Sequence, residues 1–183
     1  SLANLAAIRL RWLGLLLSAI ALRFATDALL NADVAIVDTL RLPLFATAFS
    51  MLLAGLWANR AYPGISLAFV GVLTNTAVII INGGYMPIYE PSLAAAGFTP
   101  ADVSSAIHVI LPEGLDAAFL LRLGPFGDVI PIPLPVIQNV ISIGDVFLSA
   151  GLAFFLFASL VRTPTEIDEA TATCAELNGR VSG

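Results

Sequence analysis

The sequence predicts an all-α fold: a polytopic transmembrane helix bundle of about four spans with an ordered, Pro-rich extracytoplasmic connection. Three observations predict it. Hydrophobic residues make up 58% of the chain and charged residues 11%, with a mean hydropathy of +0.94; a soluble domain carries roughly a quarter charged residues. Apolar runs near the roughly 20 residues of a spanning helix recur along the chain. The long interruption at 83–140 is punctuated by Pro and Gly.

The first run covers about 10–30. Its uninterrupted core, 12–22, lies between Arg11 and Arg23 and is too short to span, so the helix must extend through Phe24 and Leu29. Arg23 and Asp27 then fall inside the span, four residues apart and on one face, where they are expected to pair. An ionisable pair in a span is a functional candidate; the structural alternative is an internal pair near the interface, with Arg23 snorkelling. The second run, 42–58, has Pro43 near its start, where a missing N–H is tolerated. The third, 63–81, carries Thr74, Asn75 and Thr76, and Asn75 is expected to hydrogen-bond a neighbouring helix. Asn82-Gly83-Gly84 ends it with a C-cap and a sharp exit. The fourth is 141–161. The domain reading is thus a bundle over 1–162, including the 83–140 connection, and a polar cytoplasmic tail over 163–183.

Inside the connection, Thr99-Pro100-Ala101-Asp102 reads as a helix start, with Val103, Ala106, Ile107 and Ile110 on one face of a short amphipathic helix. A second short helix is expected over 115–123, stopped by Gly124-Pro125. Alternating prolines from Ile130 to Pro135 exclude helix. That apolar path is expected to be extended, largely buried and laid across the outer helix ends.

Charge placement gives an orientation. Arg9, Arg11, Arg60, Arg162 and Arg180 fall on one side of a four-span topology, which the positive-inside rule makes cytoplasmic. Trp12, Trp57 and Tyr62 are expected to form an aromatic belt there. Both termini of the chain are then cytoplasmic. Five of the thirteen acids lie at 83–140 against one Arg, and no Lys occurs, which argues against nucleic-acid partners.

The chemical motifs are sparse. Cys174 is the single cysteine and His108 the single histidine, so no Cys-based metal site is expected and His108 reads as a surface or interfacial residue. No nucleophile elbow, P-loop or dinucleotide fingerprint occurs. No catalytic residue, metal or cofactor is assigned. The candidate polar cluster is Asn82, Asp128, Asn139, Ser142 and Asp145. Asp145 suits the first turn of the last helix, capped with Ser142 and Asn139. If Asp128 turns inward, Asn82, Asp128 and Asp145 would form a cation or proton site; otherwise these residues are caps and loop ties.

Arg9-Leu10-Arg11-Trp12, Asn82-Gly83-Gly84-x-Met86-Pro87, Gly127-Asp128-x-Ile130-Pro131 and the run from Asn139 to Asp145 resemble motifs of a family of bacterial integral membrane proteins of unknown function. The resemblance implies a bacterial inner (plasma) membrane location and a further short hydrophobic segment ahead of Arg-Leu-Arg-Trp. It implies no activity. The leading expectation is a non-catalytic accessory or structural subunit that packs, through Gly55, Gly71, Gly84 and Gly151, against other membrane-protein subunits and lipids. The alternatives are a lipid, quinone or isoprenoid binder with a groove beneath the proline strand, and a small transporter or ion-handling protein using Asp128 and Asp145.

Overall fold

The structure is a computed structural model that describes residues 8–161 together with 169, 172–174, 176 and 177. Arg162, Arg180 and most of the predicted tail lie outside the described residues. Cys174, expected in a polar tail, is buried with the core of the bundle.

Four long helices carry the molecule: α1 (Leu13–Asn31), α3 (Arg41–Ala58), α4 (Ile65–Ile81) and α7 (Ile143–Val161), with the short α2 (Ala35–Thr39) between the first two. Three of them, α1, α3 and α7, are long and apolar enough to cross a membrane; α4 is an apolar helix of 17 residues. At 1.5 Å per residue these helices are roughly 25–29 Å long. They pack in the order α1–α3–α4–α7, and α1 and α7 are not packed together as a pair. The result is an arc with one open flank.

Glycines set the closest of these contacts. A Cβ at Gly71 would run into the backbone of Gly144 and Leu148, and one at Gly151 would run into Gly64 and Ala68. The α4–α7 approach therefore depends on glycine on both helices. Gly55 accommodates Leu16, and Gly84 accommodates the Arg41 side chain. The glycines expected to face partner subunits thus meet neighbours within the chain.

The all-α expectation needs one correction. The connection between α4 and α7 folds around a four-stranded sheet in the order β2-β1-β3-β4. Its strands are β1 (Met86–Tyr89), β2 (His108–Leu111), β3 (Asp128–Ile132) and β4 (Asn139–Ser142). β1 runs parallel to β2 and β3, while β3 and β4 form an antiparallel hairpin. Two short helices, α5 (Glu90–Ala95) and α6 (Ala117–Leu121), complete this cap. Ile88, Leu93, Ala96 and Val140 form its own small core.

Several expectations about the connection change with the sheet. The capping box at Thr99 and Asp102 forms, but it opens only a single 3-10 turn, Pro100–Asp102. The chain then enters β2, because Val109 and Ile110 gain more from pairing with Pro87 and Ile88 than from an isolated amphipathic turn. The proline strand is extended, and Pro131 sits opposite Val140. It is not buried throughout: Pro133, Leu134 and Pro135 are exposed, and Val136 at the hairpin tip is 93% exposed. Pairing with β4 turns the strand away from the helix ends it was expected to cover.

Polar ties hold cap to bundle. Ser104 Oγ donates to Asn31 Oδ1 at 2.5 Å, and Asn82 Nδ2 donates to the Arg122 carbonyl at 2.8 Å. The buried Arg41 donates to the Ala106 carbonyl, pairs with Asp38 and stacks 4.0 Å over the Tyr85 ring. At the opposite end of the bundle Tyr62 is buried, not a belt residue. Its ring meets Phe155 edge-on and its hydroxyl donates to the Arg9 carbonyl. Trp12 and Trp57 are exposed as a belt requires.

Candidate functional site

A cavity of about 380 Å³ lies among the four long helices, beneath the cap. Its walls are apolar: Ala19 and Ile20 of α1, Phe45 and Phe49 of α3, Val72 and Ile79 of α4, and Leu148 of α7. Its cap-side end is polar. Arg23 and Asp27, Asn75, His108, Asp128 and Asp145 converge there from three helices and two strands.

Each of these side chains has a local reason for its position. Arg23 Nη1 and Asp27 Oδ2 form the expected salt bridge one helical turn apart. The Arg23 guanidinium also lies 5.8 Å from the Phe45 ring centre and 6.0 Å from that of Phe49, close enough for cation–π attraction. Asp145 closes a reciprocal cap at the start of α7. Ser142 N–H donates to Asp145 Oδ2 at 3.1 Å, and Asp145 N–H donates to Ser142 Oγ at 2.9 Å. Asn75 locks this cap to α4. Its Nδ2 donates to Asp145 Oδ1 at 2.8 Å, and its Oδ1 accepts from Ser142 Oγ at 2.9 Å. The expected interhelical bond of Asn75 is thus present.

His108 and Asp128 come from the starts of β2 and β3. The parallel register aligns Met86 with His108 and Ile88 with Asp128, so both side chains hang over the cavity. Their nearest ring nitrogen and carboxylate oxygen, Nε2 and Oδ2, are 3.7 Å apart. Burial and the Asp145 charge push the Asp128 carboxyl up to about 8. Burial holds the His108 imidazole below its ordinary value, against an opposing contribution from the Ser104 backbone and with a further lowering from the Arg23 charge. At neutral pH the two groups therefore face each other as neutral acid and neutral imidazole, not as an ion pair.

The predicted polar cluster divides. Asp128, Ser142 and Asp145 come together at this end of the cavity or beside it. Asn82 does not: it bonds the Val78 and Arg122 carbonyls as a helix-end tie. Asn139 does not either; it is exposed at the far end of β4, where its Oδ1 accepts from Val140 N–H and caps nothing. His108, read as a surface residue, is instead a wall of the site. The lid is made by Met86, Ile107, His108 and Asp128, not by the proline strand.

Sequence reasoning had no means to join Asn75 to Asp145, which are 70 positions apart. It did have a signal for His108. An isolated histidine between Ile107 and Val109 in a chain with so few ionisable groups is an unusual neighbour for apolar strand residues. Among the described residues, no group of three or more His, Cys, Asp or Glu side chains is placed to hold a metal ion.

Comparison with known proteins supports a family of unknown function and adds no activity. An uncharacterized protein of Thermotoga maritima is 31% identical over 113 residues, 61% of this chain and 61% of that protein. The matched part is therefore under two thirds of the relative's length. No solved structure matches. The model of a family of unknown function, DUF5317, matches residues 7–157, and the chain belongs to that family.

Proposed function

We propose that this is a multi-pass protein of the bacterial plasma membrane that binds an amphiphilic small molecule of the lipid, quinone or isoprenoid class between its helices. One observation carries the reading: a cavity of about 380 Å³ that is apolar along the bundle and ionisable at its cap end. That volume lies in the range of small-molecule sites, and apolar walls with a few convergent polar groups are their usual lining. α1 and α7 do not pack together as a pair, so an apolar ligand would enter between them from the bilayer without crossing water. Arg9, Arg11 and Arg60 lie at the end remote from the sheet, which supports a cytoplasmic assignment for that end and an outward-facing cap.

No catalytic step is assigned. The glycine argument for an accessory subunit loses its support because those glycines are covered within the chain. Extraction of the full chain in native-membrane nanodiscs tests the proposal. Mass spectrometry should find one amphiphile per chain, and Leu148→Trp, which fills the cavity, should remove it. A fixed protein partner with no bound small molecule would support the subunit reading instead. A Trp variant that retained the ligand would place it elsewhere.

The ion-handling reading keeps one observation in its favour: Asp128 and Asp145 face the same cavity as His108. Proton-dependent uptake of a monovalent cation into liposomes carrying the protein, abolished by Asp128→Asn, would select it.

A further inference from the structure

Two buried side-chain atoms among the described residues have no hydrogen-bond partner: Asp27 Oδ1 and His108 Nδ1. Both belong to residues that line the polar end of the same cavity. Unsatisfied buried polar atoms are rare in folded proteins, and each calls for an explanation. The two sit on residues that line one cavity, one on a helix and the other on a strand 81 positions away in sequence, and mark its head-group end.

The surrounding charges narrow the head group. Arg23 is the cation of the site, and it is already bonded to Asp27 Oδ2. Asp27, Asp128 and Asp145 supply three carboxyl groups against it. An anionic head such as a phosphate would meet more carboxyl oxygens than free cation. A cationic head would lie against Arg23. A bare ion leaves the apolar walls empty. A hydroxyl satisfies both open atoms: its proton goes to Asp27 Oδ1, and its oxygen or a second hydroxyl meets His108 Nδ1.

We propose, building on the amphiphile-binding reading, that the ligand carries a neutral hydroxyl head, an alcohol or phenol on an apolar chain, held between Asp27 Oδ1 and His108 Nδ1. The Asp27 carboxylate accepts the hydroxyl hydrogen bond, and His108 fixes the orientation of the head. The chain lies along Phe45, Phe49 and Leu148. Recognition needs no proton transfer and no covalent step.

Four probes with one chain test this on the full-length protein in nanodiscs: farnesol, its methyl ether, farnesyl phosphate and farnesylamine, each titrated by calorimetry. Farnesol should bind, and the methyl ether, which cannot donate, should bind at least tenfold more weakly because a hydrogen bond to a charged group is lost. Phosphate and amine should bind more weakly than the alcohol. His108→Leu should weaken farnesol and the methyl ether by a similar factor, because both oxygens can accept from the ring N–H and only the bond to Asp27 separates them. Tighter binding of the phosphate or amine, or equal affinity for alcohol and ether, overturns the hydroxyl head and leaves the amphiphile reading standing. Absence of binding by all four, or affinities unchanged by Leu148→Trp, overturns the amphiphile reading itself. Because the alcohol–ether comparison uses the unaltered chain, it decides the matter even if a variant fails to fold.

Discussion

The two ends of the bundle treat buried polar groups in opposite ways. At the end remote from the sheet, Asn59 is almost fully buried and fully bonded. Its Nδ2 donates to the Arg11 carbonyl at 2.8 Å and to the Gly55 carbonyl at 2.7 Å, and its Oδ1 accepts from Arg11 N–H at 2.8 Å. At the cap end, Asp27 Oδ1 and His108 Nδ1 are buried without a partner around an open cavity. Both ends bury amides, carboxylates or rings in an apolar bundle. At one end Asn59 closes all its bonds and fixes the chain; at the other, Asp27 and His108 leave bonds open and line a cavity. Satisfied polar groups hold a fold together, and unsatisfied ones beside a cavity are available to a ligand.

The contrast makes predictions of decreasing size. Asn59→Ala removes three hydrogen bonds at once and leaves Arg11 groups unpaired, so it should cost about 3 kcal/mol of stability. Unfolding in micelles would measure this, and farnesol affinity in any folded fraction should stay within twofold. Asp145→Ala breaks the cap of α7 and the link to Asn75, at a cost of about 2 kcal/mol in the same assay. A loss as large as that of Asn59→Ala would show that the cap end is as structural as the other.

Asp128 supplies the third. Its folded-state value is raised to about 8 by burial and by Asp145, with His108 and Arg23 also facing the cavity. Below about pH 4 the carboxyl is protonated whether the chain is folded or not, and its stabilising contribution is fully present. Between about 4 and 8 only the folded state holds the proton, so stability falls by up to about 1.4 kcal/mol per pH unit; above 8 the contribution is lost and the slope ends. Asp128→Asn should flatten that slope and raise the melting temperature near pH 8, with little change near pH 4. A melting curve with the same pH dependence as the parent would show that Asp128 is already ionised in the fold.

The smallest effect belongs to His108→Leu, which removes an unpartnered nitrogen and should shift stability by less than about 0.5 kcal/mol in either direction. A loss above 2 kcal/mol would make His108 a structural residue like Asn59.

The helices were legible in the sequence because length and apolarity alone specify them, and the Arg23–Asp27 pair followed from helical spacing. The end caps at Asn82 and at Ser142 with Asp145 were legible for the same reason: each is a local exchange between side chain and backbone. The sheet was not. Each strand has four or five residues, too few for alternation to stand out, and β1, β2 and β3 pair across intervening turns. The prolines of β3 announced an extended path but carried no information about β4 as its partner. The role of Arg41 was not legible, because its carbonyl acceptor on Ala106 is 65 positions away. The site was half legible. Asp128 and Asp145 stood out by charge, whereas Asn75 and His108 reach it only through tertiary packing.

The junction of β4 and α7 has a consequence for how the molecule is made. Ser142 ends the strand and Ile143 begins the helix with no linker between them. During synthesis the N-terminal helices emerge first, and α7, which carries Asp145, emerges after the cap. Asn75 therefore waits without its partner until the sheet's final strand and the final long helix arrive together. Cap closure and bundle closure become one event, set by contacts distant in sequence, and such contacts form slowly. A newly made chain stalled before Ile143 would expose Gly71 and Asn75 on an uncovered helix face, a form that quality-control proteases can tell from the finished molecule.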